Sequence, residues 1–226
     1  MERAKEQVAV VSGVQAYRWF TITVKGKEAH AGATPWEDRA DAVLWASKAV
    51  VEVSEIVMGK GGLATVGCFE VKPGSVNVVP GEVKMTLDVR AASDGQLENI
   101  VSTVRLYLET LKVQGEAGVD LTFYIEQDFA SKAVEFDPTA MGFVEESVKS
   151  VTGKGEIPLL VSGAGHDSVN TAKHCPTAMI FVPCKDGVTH NIREWCSDED
   201  CAIGASVLLQ SVLRFDQWRH KAGHFV

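Results

Sequence analysis

From Tyr17 to Val24 polar positions alternate with apolar ones and aromatic or β-branched side chains dominate, which predicts a strand ending at Gly26. Pro35 suits a first helical turn, acidic Glu37 and Asp38 follow it, and Ala42, Val43, Ala46, Val50 and Val53 recur at helical spacing as far as Gly59. Leu63 to Val71 predicts a second strand. Glu82 to Ala91 alternates as a third, set off by the turn-rich Lys72-Pro73-Gly74-Ser75 and Pro80-Gly81. Ser93 then caps a predicted helix reaching about Val113, and Val119 to Gln127 alternates as a fourth strand. The order β-α-β-β-α-β is the split motif of ferredoxin-like domains, two helices on one face of a four-stranded antiparallel sheet.

Beyond Asp128 the pattern changes. A helix is predicted from Pro138 to Val151, a buried run at Ile157 to Val161, a short helix after Asp167, an apolar strand at Ala178 to Val182 and a long helix from about Ser197 to Trp218. Alternating strands and helices describe an α/β unit, yet two or three short strands are too few for a freestanding sheet covered on both faces. The division expected is a leading segment and linker over 1–16, a ferredoxin-like domain over 17–127, and part of a larger α/β domain over 128–226.

Composition narrows the partners. The 226 residues are 46% hydrophobic with a formal charge of −8, and no basic stretch is interleaved with aromatics, which excludes nucleic acid as the main partner and favours small molecules or proteins. Met1 to Gln7 is charged, and no segment has the length and apolarity to cross a bilayer, so the expectation is a cytoplasmic protein without membrane association. Cys68, Cys175, Cys184, Cys196 and Cys201 lack the paired spacings of zinc knuckles or redox motifs and read as reduced, mostly buried thiols.

Chemistry concentrates where histidines sit among small residues: Ala29-His30-Ala31-Gly32-Ala33-Thr34-Pro35, Ser162-Gly163-Ala164-Gly165-His166-Asp167 and Thr189-His190-Asn191. Glycine and alanine let a ligand approach an imidazole closely. His30 falls between a strand and a helix N-terminus, where a neutral imidazole and an anion are both favoured, although a lone histidine there also serves as a cap. Arg90 ends the third strand and Asn77 follows a glycine turn. Because the first and third strands of the split motif are neighbours, His30, Asn77 and Arg90 are expected on one side of the sheet, an arginine fork and an amide being suited to a carboxylate. Strand-end arginines also form surface ion pairs, and asparagines fill turns. Ser162 to Asp167 is not a nucleophile elbow, and adjacent His166 and Asp167 point differently, so a serine triad is set aside in favour of a pocket-lining loop at a strand end. His190 occupies a strand-exit loop and suits a metal, but no His-x-Asp or His-Glu-x-x-His accompanies it.

Taken together, Gly13 to Trp19, Gly26 to Trp36 with Arg39 and Asp41-Ala42, Ser75-Val76-Asn77-Val78-Val79-Pro80-Gly81, Leu87-Asp88-Val89-Arg90, Ser162 to Asp167 and Thr189-His190-Asn191 resemble the M20 metallopeptidase-like amidohydrolases. The branch most resembled contains N-carbamoyl-L-amino-acid hydrolases, β-ureidopropionase and allantoate amidohydrolase. The resemblance implies a ferredoxin-like lid and dimerisation domain joined to the C-terminal part of a zinc-peptidase-like α/β catalytic domain, a homodimer formed through the lid, and two divalent ions, zinc or manganese. It implies that His30 crosses the dimer interface to polarise the scissile carbonyl, that Asn77 and Arg90 hold the substrate carboxylate, that His166 contacts substrate and that His190 is the last metal ligand.

The reaction so implied is hydrolysis of a ureido or amide C–N bond by metal-activated water. The other ligands and the glutamate base of that family belong to a first half not found in this sequence. One imidazole cannot hold a dinuclear centre, so the chain alone is expected to be inactive. A non-catalytic dimerisation module, or a pseudoenzyme partner lending His30, Asn77 and Arg90 to a complete subunit, is the competing class. A small-ligand sensor on the ferredoxin-like sheet would explain the first half and leave the later motifs unexplained.

Overall fold

The computed structural model describes residues 1–111 and 121–223. In chain order the strands are β1 (Ala9–Val14), β2 (Ala16–Lys25), β3 (Ala29–His30), β4 (Leu63–Thr65), β5 (Phe69–Lys72), β6 (Val78–Val79), β7 (Glu82–Ala91), β8 (Thr122–Ser131), β9 (Val134–Glu135), β10 (Leu159–Ser162) and β11 (Met179–Phe181). The α-helices are α1 (Ala42–Gly59), α2 (Asp94–Thr110), α3 (Pro138–Thr152), α4 (Asp167–Thr171) and α5 (Asp198–Lys221). The chain divides into two compact units, Gln15–Ala133 and Met1–Val14 with Val134–Val226.

In the first unit β2 is central, antiparallel to β7 from Ala16 opposite Ala91 to Lys25 opposite Glu82, with β8 on its other side. The sheet order β4-β7-β2-β8, with β5 also on β7, is that of the split motif. Alternation sorts the faces: Phe20, Ile22 and Val24 with Val83, Met85, Leu87 and Val89 bury against α1 and α2. Tyr17, Trp19 and Thr21, and opposite them Arg90, Asp88 and Thr86, stand on the other face. Trp45 of α1 is the largest fully buried side chain, 1% exposed. It stacks on Phe123 at 4.9 Å and donates its indole N–H to the Leu111 carbonyl.

Helix α1 starts later than Pro35. Pro35 leads a 3-10 turn over Trp36–Asp38, Arg39 is extended, and the Asp41 carboxylate accepts from the amides of Val43 and Leu44, both at 3.0 Å. The intervening segment is held against the strand end, Lys27 N–H donating to the Ala40 carbonyl. A Cβ at Gly26 would come within 2.0 Å of that carbonyl oxygen, which is why glycine stands there. The run Leu63 to Val71 is two strands: Thr65 faces Asp88 while Phe69 faces Met85, so this edge spends one residue more than β7 and bulges at Val66–Cys68. Ser93 caps α2 as expected. Strand β8 runs past residue 127 to Ser131, and the parts of the predicted helix and strand at Lys112–Val113 and Val119–Asp120 lie outside the described residues.

In the second unit the centre is a strand that sequence periodicity missed. Strand β1 lies between β10, parallel, and β11, antiparallel, with β9 pairing at its end. Its lead-in Val8-Ala9-Val10-Val11 is buried on both faces, so it shows no alternation and no strand period. Val8 and Val10 pack on Val144 and Val148 of α3 and Val207 of α5, while Val11 and Val14 pack with Phe136 and Val169. Helix α5 buries Gly204, Val207 and Ser211. It also carries Cys201, Ala205, Leu208, Val212 and Phe215 at spacings of four and three, beside Leu209 and Leu213; Leu209 is 59% exposed and Val212 55%. Among the described residues no helix is long and apolar enough to cross a membrane.

Truncating Trp45 to Ala removes a filled core position and an indole hydrogen bond. It should lower unfolding stability by about 3–5 kcal/mol, read as a reduced urea midpoint with the slope unchanged.

Candidate functional site

The loop carrying His30 is built from backbone pairing. Strand β3 pairs with β6, His30 opposite Val78, and the Ala31 amide donates to the Asn77 carbonyl at 2.9 Å, which ties the backbone segments of His30 and Asn77 together; both side chains are exposed. The Gly32 amide donates to His30 Nδ1 at 3.1 Å. A nitrogen that accepts a hydrogen bond carries no proton, so neutral His30 bears its hydrogen on Nε2 and presents a donor. Ser75 Oγ donates to Asn77 Oδ1 at 2.9 Å, leaving the amide NH2 of Asn77 as a second donor.

Arg39 clamps this loop from behind. Its Nε donates to the Thr34 carbonyl at 2.9 Å, its Nη2 to the Ala31 carbonyl at 2.5 Å, and its guanidinium lies over Trp36 at 4.5 Å. Sequence reasoning carried Arg39 only as part of a motif. Its signal was position alone, an arginine a few residues beyond the histidine turn.

Arg90 is elsewhere. On β7 it faces Tyr17, the far end of β2, and its fork holds the Asp88 carboxylate, Nη2 to Oδ2 at 2.6 Å, with the guanidinium 5.1 Å from the Tyr17 ring centre. From Glu82 to Arg90 is eight strand steps, about 27 Å. The His30 end is tied to the opposite terminus of that strand: a Cβ at Gly81 would meet Glu28 Cγ at 2.7 Å, and Glu28 is two residues, at most about 7 Å, from His30. His30 and Asn77 are therefore together, and Arg90 is separated from them by roughly 20 Å or more. The expectation that all three share one side of one sheet is corrected by the register, because neighbouring strands need not bring the same ends together.

In the other unit His166 occupies the N-cap position of α4, but its side chain makes no cap bond. Its Nε2 lies 2.9 Å from Ser162 Oγ, and its ring meets Phe181 edge-on at 5.6 Å. Ser162 is 2% exposed and is bound by both backbone groups of Ala164, which is no setting for a nucleophile. His190 is exposed, in a left-handed conformation (φ 55°) that non-glycine residues adopt at a cost and that recurs at functional sites. The Glu194 carboxylate accepts its amide N–H at 2.9 Å, and Nδ1 lies 3.1 Å from Thr189 Oγ1, which leaves Nε2 as the outward ligand atom.

No group of three or more His, Cys, Asp or Glu among the described residues is arranged to hold a metal ion. The chain's one Glu-Glu pair, Glu145-Glu146, is spent on Lys149 and Arg214 at the helix surface. The donors present do not fit a dinuclear centre. The thiols differ from expectation as well: Cys68, Cys175 and Cys201 are exposed, and Cys184 and Cys196 are half-buried. Most of these cysteines stand at element ends and loops, where no apolar layer covers them. Burial, followed by the neighbouring Cys201, pushes the Cys196 thiol up to about 11.

The sequence profile described as peptidase family M20/M25/M40 matches residues 12–214. The N-carbamoyl-L-amino acid amidohydrolase of Geobacillus stearothermophilus is 34% identical, covering 96% of this chain and 52% of that protein. The Escherichia coli allantoate amidohydrolase is 29% identical, covering 92% of this chain and 50% of that protein. Among solved structures, the hydantoinase/carbamoylase family amidase of Burkholderia multivorans superposes with a TM-score of 0.84 at 39% identity, covering 94% of this chain and 51% of that one. The chain thus spans about half the length of the relatives it matches.

Two measurements check this geometry. Arg39→Ala removes two charge-assisted hydrogen bonds and should speed amide exchange at Ala33 and Thr34 by about tenfold or more, equivalent to about 1.4 kcal/mol. Timed alkylation at neutral pH should label Cys68 and Cys175 well before Cys196, whose thiolate is disfavoured.

Proposed function

Because the chain belongs to peptidase family M20/M25/M40, we propose that it supplies the lid and one part of the catalytic domain of an amidohydrolase acting on a linear ureido or amide C–N bond, of the N-carbamoyl amino acid or ureidopropionate type. The observation carrying this reading is a pair of exposed donors on one backbone-paired turn, His30 Nε2–H and the Asn77 amide, together with an arginine fork already closed on a carboxylate. Relatives named for N-carbamoyl amino acids and allantoate support the substrate class.

In this reading the substrate carboxylate takes the place of Asp88 on the Arg90 fork, which binds it bidentately. His30 directs its Nε2–H at the scissile carbonyl oxygen, where negative charge develops as the bond is attacked. Asn77 donates beside it. A small ureido acid cannot bridge some 20 Å, so His30 and Asn77 of one protomer act on a substrate held by Arg90 of another, and a homodimer formed through the lid is the assembly proposed. That division departs from the resemblance, which pairs Asn77 with Arg90. His166 contacts the substrate, and His190 is proposed as one ligand of a zinc or manganese site whose other donors this chain does not supply, so no step is assigned to the metal. The cytoplasm is the compartment proposed.

A second reading, a non-catalytic dimerisation partner, is favoured by the uncovered apolar stripe of α5 and by the lack of a metal-holding group among the described residues. The pure chain, given zinc, manganese or cobalt, should not release ammonia from N-carbamoyl amino acids, 3-ureidopropionate or allantoate; clear turnover would overturn the half-site reading. Replacing the matching half of the Geobacillus stearothermophilus amidohydrolase with this chain should give a metal-loaded chimera that hydrolyses N-carbamoyl-L-amino acids. In it His30→Ala should lower kcat by about 10²–10³-fold and Arg90→Ala should raise KM by about tenfold or more. A folded, metal-loaded chimera without activity would sink the proposal.

A further inference from the structure

Ser162 closes β10, opposite Val14 of β1, and its hydroxyl has three neighbours: the Ala164 amide at 3.1 Å, the Ala164 carbonyl at 3.0 Å and His166 Nε2 at 2.9 Å. A serine hydroxyl has one proton to give and two lone pairs to offer. The Ala164 amide takes one lone pair. The Ala164 carbonyl can only accept, so the single hydroxyl proton goes to it. The contact to His166 is then satisfied only if the imidazole gives a proton, Nε2–H to Oγ. The reverse assignment sets the serine oxygen and the Ala164 carbonyl oxygen against each other 3.0 Å apart in a site that is 2% exposed, with no proton between them.

We propose that Ser162 is a positioning residue that locks His166 in its Nε2–H form, so that Nδ1 is the bare, accepting nitrogen offered to an N–H group of the substrate. The surrounding geometry agrees. Phe181 holds the ring edge-on, with planes 62° apart, and restrains its rotation. The ring spends nothing on capping α4, and no partner for Nδ1 stands among the described residues. A bare imidazole nitrogen selects a donor, and ureido or amide N–H is the class that fits. The link to substrate rests on the function proposed above; the tautomer does not.

The test uses the chain itself. A two-bond ¹H–¹⁵N correlation of the imidazoles above neutral pH, with His166 assigned by its loss in His166→Gln, should show Nε2 in the protonated range and Nδ1 in the bare range. In Ser162→Ala the two nitrogens should move toward one another as the tautomers mix, and Ser162→Thr should restore the separation. A wild-type His166 protonated on Nδ1, or Ser162→Ala resonances identical to wild type, would overturn the proposal. The wild-type spectrum decides it even if Ser162→Ala does not fold. Because this readout involves no substrate, its failure is distinct from an inactive chimera, which would overturn the functional reading alone.

Discussion

The pairing of β2 with β7 over ten residues, Ala16 opposite Ala91 through Lys25 opposite Glu82, is the constraint on which the first unit depends. Its alternation sends Phe20, Ile22, Val24, Val83, Met85, Leu87 and Val89 to the helices and leaves Tyr17, Trp19, Asp88 and Arg90 on the opposite face. Its length puts the Arg90 fork at one terminus and the His30–Asn77 turn beyond the other. A slip of one residue would reverse every face, which is why the hydrophobic set and the functional set are specified together. The same rigidity that positions each group keeps the Arg90 fork away from the His30–Asn77 turn within one chain.

A second regularity concerns the histidines. Each of the three keeps one ring nitrogen occupied by a neighbour close in sequence: Gly32 N–H on His30 Nδ1, Ser162 Oγ on His166 Nε2, Thr189 Oγ1 on His190 Nδ1. An imidazole with one nitrogen tied down has its other nitrogen defined as donor, acceptor or ligand. The small residues around these histidines thus do more than admit a ligand. The backbone amide of Gly32 fixes the tautomer of His30 outright, whereas a hydroxyl, which both donates and accepts, does so only where its own proton is already committed.

The second unit carries the marks of a partial structure. Its sheet is short, a 24-residue helix is apolar on more than the side it buries, and among the described residues one candidate metal ligand stands without companions. Matching relatives are about twice as long. In contrast, the first unit encloses a core between its sheet and two helices, and its caps and turns are satisfied locally. The two units differ in self-sufficiency.

Much of this was legible in the chain because it depends on local physics. The order of strands and helices in the first unit, the Ser93 cap and the histidine turns follow from side-chain period and from residues with a single favoured conformation. Three features were hidden. Strand β1 is buried on both faces, and a run without alternation carries no strand signature. The start of α1 after the Asp41 cap in place of Pro35 depends on Lys27 and Gly26, just past the end of β2, holding the Ala40 backbone. The distance from Arg90 to His30 is a matter of register, a property of paired strands and not of either strand alone. The exposed cysteines belong with these, since burial is conferred by what packs over a residue. The sequence by itself determined which groups are available and which local turns hold them. Only the tertiary structure decided which of those groups share a site, because long-range pairing sets distance and local preference does not.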